Sequence, residues 1–181
     1  MVLSEQDAAL FYELWFPLLE YVNQNYKVSE NLKQIAGAES LDPAEVKRVA
    51  NYLWDNPGII DDYLHLHNDL PEDHAELIRS WKRCVKGRFV LERHLKKGSI
   101  FISTDHPDVY QVCGIITSLE EMFFWRPLPI LLDAALIPFR DVIISDGLLI
   151  PLNVYLGGGI KRTLKDTYMT AKSNGLIHRT L

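Results

Sequence analysis

Hydrophobic positions recur at helical spacing over roughly the first half of the chain. Leu10, Phe11, Leu14, Trp15, Leu18, Leu19 and Val22 form one wide apolar stripe, and Ser4, followed by Asp7, marks its start. Pro17 predicts a kink or break in this helix, because proline removes a donor and crowds the preceding turn. A second helix is expected over Ser29–Ala36. A third opens at Asp42-Pro43, with Glu45 closing a capping box and Leu41 and Val46 placed as a hydrophobic staple. Val46, Val49, Ala50, Leu53 and Trp54 are its inward face. Asn56-Pro57 ends it and opens a helix through Ile59, Ile60, Tyr63 and Leu64. Pro71 opens the last of the set, with Leu77, Ile78, Trp81 and Val85 inward and Gly87 as the stop.

After Gly87 the period shortens. Phe89–Leu95 and Ser99–Ser103 read as strands of a hairpin around Lys96-Lys97-Gly98, and Val109–Thr117 as a third strand. Ser118 to Glu121 is a capping box announcing a short helix. Leu128–Phe139 is an apolar run bounded by prolines and is read as a strand with irregular ends. Val142–Ser145 and Leu148–Tyr155 flank Asp146-Gly147, a second hairpin signal, and a helix over Gly159–Ser173 stops at Asn174-Gly175. The expected fold is α+β: a helical N-terminal half (1–86) packed on a mainly antiparallel, curved sheet or open barrel (87–181) with a C-terminal helix, in two regions or one continuous domain.

Charge changes this picture more than composition does. The net charge is −5, but residues 1–78 carry −11, residues 79–97 carry +7 and residues 98–181 carry −1. Arg79, Lys82, Arg83 and Lys86 stand at i, i+3, i+4 and i+7, so a continuous helix makes them one basic stripe. That stripe is the leading candidate surface for an anionic ligand or an acidic protein, and the alternative is a face that answers the acidic helices of the same chain. Residues 32–54 resemble a helix-turn-helix, with Ala36, Leu41 and Val46 at its packing positions. Ser40 stands where that motif favours glycine, and Lys47, Arg48 and Asn51 are the second helix's only attractive groups toward phosphate. A strongly acidic half is a poor vehicle for DNA, so nucleic acid is the less favoured partner.

Gly157-Gly158-Gly159 precedes a helix carrying Lys161, a pattern that suits phosphate but also a turn of unusual backbone angles. His65-Leu-His67-Asn-Asp69 has the residue types of a metal site, but i and i+2 on a helix face apart, and no metal is assigned. Asp133, Asp141 and Asp146 are acids in apolar surroundings, the last two with turn roles of their own. No nucleophile elbow or cofactor motif is present, so no catalytic residue and no cofactor are assigned. An enzyme acting on a phosphorylated substrate through the triple glycine and Lys161 is a further alternative. Cys84 and Cys113 are expected as reduced thiols. The N-terminus has no basic region of a signal peptide. The uncharged stretch Gly147–Ile160 is too short for a membrane span and reads as buried strand and loop. A cytoplasmic protein without membrane association is expected. The pattern does not separate Trp15, Trp54, Trp81 and Trp125 into core and interface.

Two stretches, Leu77-Ile-Arg-Ser-Trp-Lys-Arg-Cys-Val-Lys-Gly-Arg-Phe89 with Arg93–Phe101, and Leu136–Leu149, resemble a family of uncharacterised bacterial proteins. Some of its members carry a C-terminal cysteine-rich SEC-C zinc motif, which this sequence lacks. The resemblance implies a bacterial cytosolic protein and transfers no functional residue. The resulting expectation is a non-catalytic binding module with an anionic partner.

Overall fold

The computed structural model describes residues 1–32, 35 and 41–181. The chain divides into two compact units, Ser4–Arg83 and Met1–Leu3 with Cys84–Leu181.

The first unit is helical. Helix α1 runs unbroken over Glu5–Tyr26, through Pro17. The expected break does not occur: Pro17 lies on the exposed side, while Leu14, Trp15, Leu18 and Leu19 are buried on the other and hold both halves to one core. Lys27 ends the helix in the left-handed conformation. No helix follows over residues 29–32, because their main chain is already engaged. The buried Asn23 amide donates to the Ser29 and Leu32 carbonyls at 3.0 and 2.7 Å and accepts from the Ser29 N–H at 2.8 Å. The remainder of that expected helix, and with it the first half of the helix-turn-helix reading, lies outside the described residues.

Helix α2 covers Pro43–Asp55, and Asp42 caps it by accepting from the Ala44 N–H at 2.9 Å. Glu45 does not complete a capping box. Its carboxylate turns inward, to the Ser29 hydroxyl at 2.5 Å and Arg48 at 3.0 Å. Helices α3 (Ile59–Leu66) and α4 (Glu72–Ser80) follow, then one 3₁₀ turn, Trp81–Arg83. An aromatic cluster anchors the unit: Trp15 stacks on Trp54 at 5.2 Å and meets Trp81 edge-on at 5.8 Å. Trp81 is fully buried, and its indole N–H has no hydrogen-bond partner among the described residues.

The second unit is a mixed seven-stranded sheet closed into a ring. Its strands are β1 (Val85–Leu95), β2 (Gly98–Ser103), β3 (Val109–Cys113), β4 (Ile130–Phe139), β5 (Val142–Ser145), β6 (Ile150–Pro151) and β7 (Ile177–His178). The order is β1-β2-β3-β5-β4, and β1 pairs again with β4 to close the ring. All ring pairings are antiparallel except β3 with β5. Long β1 serves both neighbours, β4 with Val85–Leu91 and β2 with Phe89–Leu95, and a register shift between Leu91 and Arg93 supplies the bend. Phe89, Leu91, Phe101, Tyr110, Val112, Leu132 and Leu136 fill the interior with Leu119 and Phe123 from helix α5 (Leu119–Met122) and its end. Helix α6 (Gly158–Ser173) lies on the outside, where Tyr168 and Ala171 pack on Ile100, Ile102 and Val109 of β2 and β3.

Two local readings change. The tight hairpin between β4 and β5 turns at Arg140-Asp141, with Arg140 at φ 49°, and not at Asp146-Gly147. At the latter the chain continues along β4: the Asp146 N–H donates to Ala135, its carboxylate accepts from the Leu148 N–H at 3.0 Å, and Gly147 takes φ 83°. Strand β6 then pairs with β4 for only two residues, so most of Gly147–Ile160 is irregular rather than buried strand. Among the described residues no helix is long and apolar enough to cross a membrane.

Candidate anion-binding site

The four residues of the basic stripe do not share a helical face. Arg79 is on α4, Lys82 and Arg83 are in the 3₁₀ turn and Lys86 is on β1, because the helix ends at Ser80. There the Ser80 hydroxyl bonds the Leu77 carbonyl at 2.6 Å, and Val85 already pairs with Leu136. Two of the cations are engaged within their own unit: Lys82 lies 2.5 Å from Asp61 and Arg79 3.7 Å from Glu72. The α2 surface is no better supplied, since Lys47 is buried and Arg48 is paired with Glu45.

A different set of cations converges on the barrel unit. The loop between α5 and β4 carries Arg126, and the segment leading into α6 carries Asn153, Tyr155 and Lys161. Together they line a cleft of about 240 Å³ floored by Ile130 and Leu156. The Arg126 guanidinium donates to Asn153 Oδ1 at 3.5 Å and lies over the Trp125 ring at 4.6 Å. The Lys161 ammonium is 5.9 Å from the Tyr155 ring. Residues 122–132 and 147–165 contain four basic side chains and no acidic one. Among the described residues neither Arg126 nor Lys161 has a carboxylate partner, whereas Arg88 is held by Asp133 at 3.4 Å and Arg93 by Glu92.

The triple glycine lies in sequence between Leu156 and Lys161, two residues of the cleft lining, and is not itself part of that lining. Gly157 is the N-cap of α6 and makes no side-chain cap bond, which leaves the first-turn N–H groups without a side-chain acceptor. The expected need for unusual backbone angles is absent: Gly157 has φ −67°, and among the described residues the positive-φ glycines are Gly98, Gly147 and Gly175. Nor is space short, since a Cβ at any of the three would meet nothing within 4 Å. The helix start is bare main chain with the positive end of the α6 dipole exposed.

The other candidates stay apart. Asp133 is paired with Arg88 across the β1–β4 ladder, Asp146 is buried in its turn, and Asp141 sits at the β4–β5 hairpin. His65 is exposed on α3, His67 lies against Tyr63 at 4.4 Å, and no group of three metal-ligating side chains occurs among the described residues. Cys113 is buried, which pushes its thiol pKa up, and Cys84 is half-buried. One pair was missed from sequence: His94 Nδ1 and Ser99 Oγ are 2.8 Å apart in a small polar pocket with Glu120. The turn Lys96-Lys97 puts residue 94 opposite residue 99, so the hairpin register held that signal. Burial pushes the His94 pKa down, with Glu120 opposing. Ser99 is only 4% exposed, which makes it a strap across the hairpin rather than a nucleophile open to substrate.

Compared with known proteins, the chain matches no family model, no curated protein and no solved structure.

Proposed function

We propose that the barrel unit is a non-catalytic binding module for an anionic partner, which it takes in the cleft of Arg126, Asn153, Tyr155 and Lys161 beside the bare first turn of α6. The observation that carries this reading is the convergence of two acid-free segments, which brings Arg126 and Lys161 to one cleft without carboxylate partners among the described residues. Charged groups left without an internal partner are the ones available to an external one. The three glycines suit the same purpose, since neither strain nor crowding calls for them and each leaves a main-chain donor open to close approach. The cleft lining brings no carboxylate, thiol or imidazole to these cations, which is why the reading is binding and not catalysis.

The ring is built on five main strands, as are the oligonucleotide- and oligosaccharide-binding barrels. That likeness is one of architecture and names no ligand. Such barrels bind on the face of strands two and three, and here Tyr168 and Ala171 of α6 occupy that face. The module's site is therefore at the loop end and not on the barrel wall.

The test is titration with inorganic polyphosphate at low salt, followed calorimetrically. Wild type is expected to bind with an affinity that falls as salt rises, and the charge-reversed variant R126E/K161E is expected to lose binding. Absence of binding by the wild type, or an unchanged affinity in the variant, refutes the reading.

A further inference from the structure

We infer that the anion taken by this cleft is single-stranded nucleic acid, with phosphates on Arg126, Lys161 and the first turn of α6 and bases stacked on Trp125 and Tyr155. The inference rests on the anion-binding reading and adds the aromatic side chains to it. Phe124, Trp125 and Tyr155 are 84%, 58% and 88% exposed, on the two segments that meet at the cleft. The chain buries its other tryptophans, Trp15, Trp54 and Trp81, so exposing Trp125 departs from its own pattern. Two of the exposed rings come with a cation: Arg126 lies over Trp125 at 4.6 Å, and Lys161 is 5.9 Å from Tyr155. A flat ring open to solvent beside a cation is the arrangement that receives a base together with its phosphate.

The alternatives use less of what is there. A free phosphate would satisfy the cations and the α6 main chain but leave three aromatic rings in water. A duplex offers phosphates, but its bases are stacked on one another and present no face to Trp125 or Tyr155. Stacking is indifferent to base identity, so the site is expected to be sequence-tolerant. The overall charge of −5 supplies no long-range attraction, which predicts moderate affinity and a shallow salt dependence set by local cations alone. With Arg126 and Lys161 as the contacting cations, the slope of log affinity against log salt should be about −1.4, from about −0.7 per contact on a single strand.

The test uses the full chain, a fluorescein-labelled oligothymidylate of about 12 nucleotides, a duplex of the same length and base-free polyphosphate, read by anisotropy or calorimetry. The oligothymidylate is expected to bind at least about tenfold more tightly than the duplex. W125A should weaken it by about tenfold while leaving polyphosphate binding unchanged, Y155A should weaken the oligothymidylate by about tenfold and polyphosphate much less, and R126A or K161A should weaken both ligands. Because both rings are exposed, these variants are expected to melt with the wild type, and a melting curve checks it. Polyphosphate binding with an oligothymidylate that binds no better, and is insensitive to W125A and Y155A, overturns the nucleic-acid inference and leaves the anion reading standing. Loss of binding to both probes overturns both. Equal affinity for duplex and single strand, or binding only to anionic lipid vesicles, also overturns the inference.

Discussion

Replacing Gly158 and Gly159 together by alanine sets helix stability against ligand access at one place. Both residues lie in the first turn of α6, neither has a positive φ, and a Cβ at either meets nothing within 4 Å. Alanine is better than glycine by about 0.8–1.0 kcal/mol inside a helix, and roughly half of that applies in a first turn. The double variant should therefore gain about 1 kcal/mol. For a domain of this size that raises the melting temperature by about 4–8 °C, provided α6 melts with the barrel it packs on. The added methyl groups also stand in front of the first-turn N–H groups. Losing one charge-assisted hydrogen bond to an anion costs about 1.5–3 kcal/mol, so polyphosphate affinity should fall by about tenfold or more. Circular-dichroism melts and calorimetric titration on the same samples give both quantities. A destabilised variant would show that the glycines answer a structural need. A stabilised variant with unchanged affinity would show that the α6 start is not used.

Three further outcomes follow from the packing. W81A should cost about 3–5 kcal/mol, while W81F should cost less than about 1 kcal/mol, because the ring atoms it loses include a buried N–H without a partner among the described residues; urea midpoints measure both, and equal losses would mean the N–H is satisfied. His94 has its pKa pushed down by burial, so the unfolded chain takes up its proton first as pH falls through about 6.5. Its contribution to stability is therefore full above that value and lost below it, and H94Q should show a smaller drop in urea midpoint between neutral and mildly acidic pH than the wild type. Tyr168 anchors α6 to the barrel under the Arg93 guanidinium, 4.0 Å from its ring. Y168A should cost about 3–5 kcal/mol and lower polyphosphate affinity by freeing the helix that carries Lys161, while Y168F retains both; unchanged affinity in Y168A would separate the anchor from the cleft.

Local signals were legible where one segment decides its own fate. Ser4, Asp42 and Ser118 cap helices as their positions predict, and the hairpin forms at Lys96-Lys97-Gly98 as expected. What misled were features whose outcome depends on distant residues. Pro17 is tolerated because four flanking hydrophobics share a core, and the helix expected to reach Val85 stops at Ser80 because Val85 has a strand partner 51 residues away, at Leu136. The same shortening dissolves the basic stripe, since i, i+3, i+4 and i+7 define a face only while the helix lasts. Of the cleft, Gly157 to Gly159 and Lys161 were visible as a glycine run before a helix. Arg126 and Asn153 were not, because nothing local to either says that residue 126 and residue 153 end 3.5 Å apart.

If the cleft binds as proposed, helix α6 accounts for a site at one end of the barrel. Ile100, Ile102 and Val109 make the outer face of β2 and β3 apolar, and Tyr168 and Ala171 pack on that face. An apolar wall needs such a cover, and a helix 16 residues long reaches beyond it. Tyr168 and Ala171 in the C-terminal half of α6, with the partly buried Leu164 before them, supply the packing, and the N-terminal half carries Lys161, with the bare glycine start just before it, to the cleft that Arg126 also lines. Covering the wall and building the cleft are thus one act of the same helix. That division also accounts for its composition: the buried contacts belong to Tyr168 and Ala171, whereas the first eight residues, Gly158–Lys165, include two glycines and three cations with no acid among them. Glycines at a helix start reduce its intrinsic stability, and the anchoring by Tyr168 further along is what lets that start remain open.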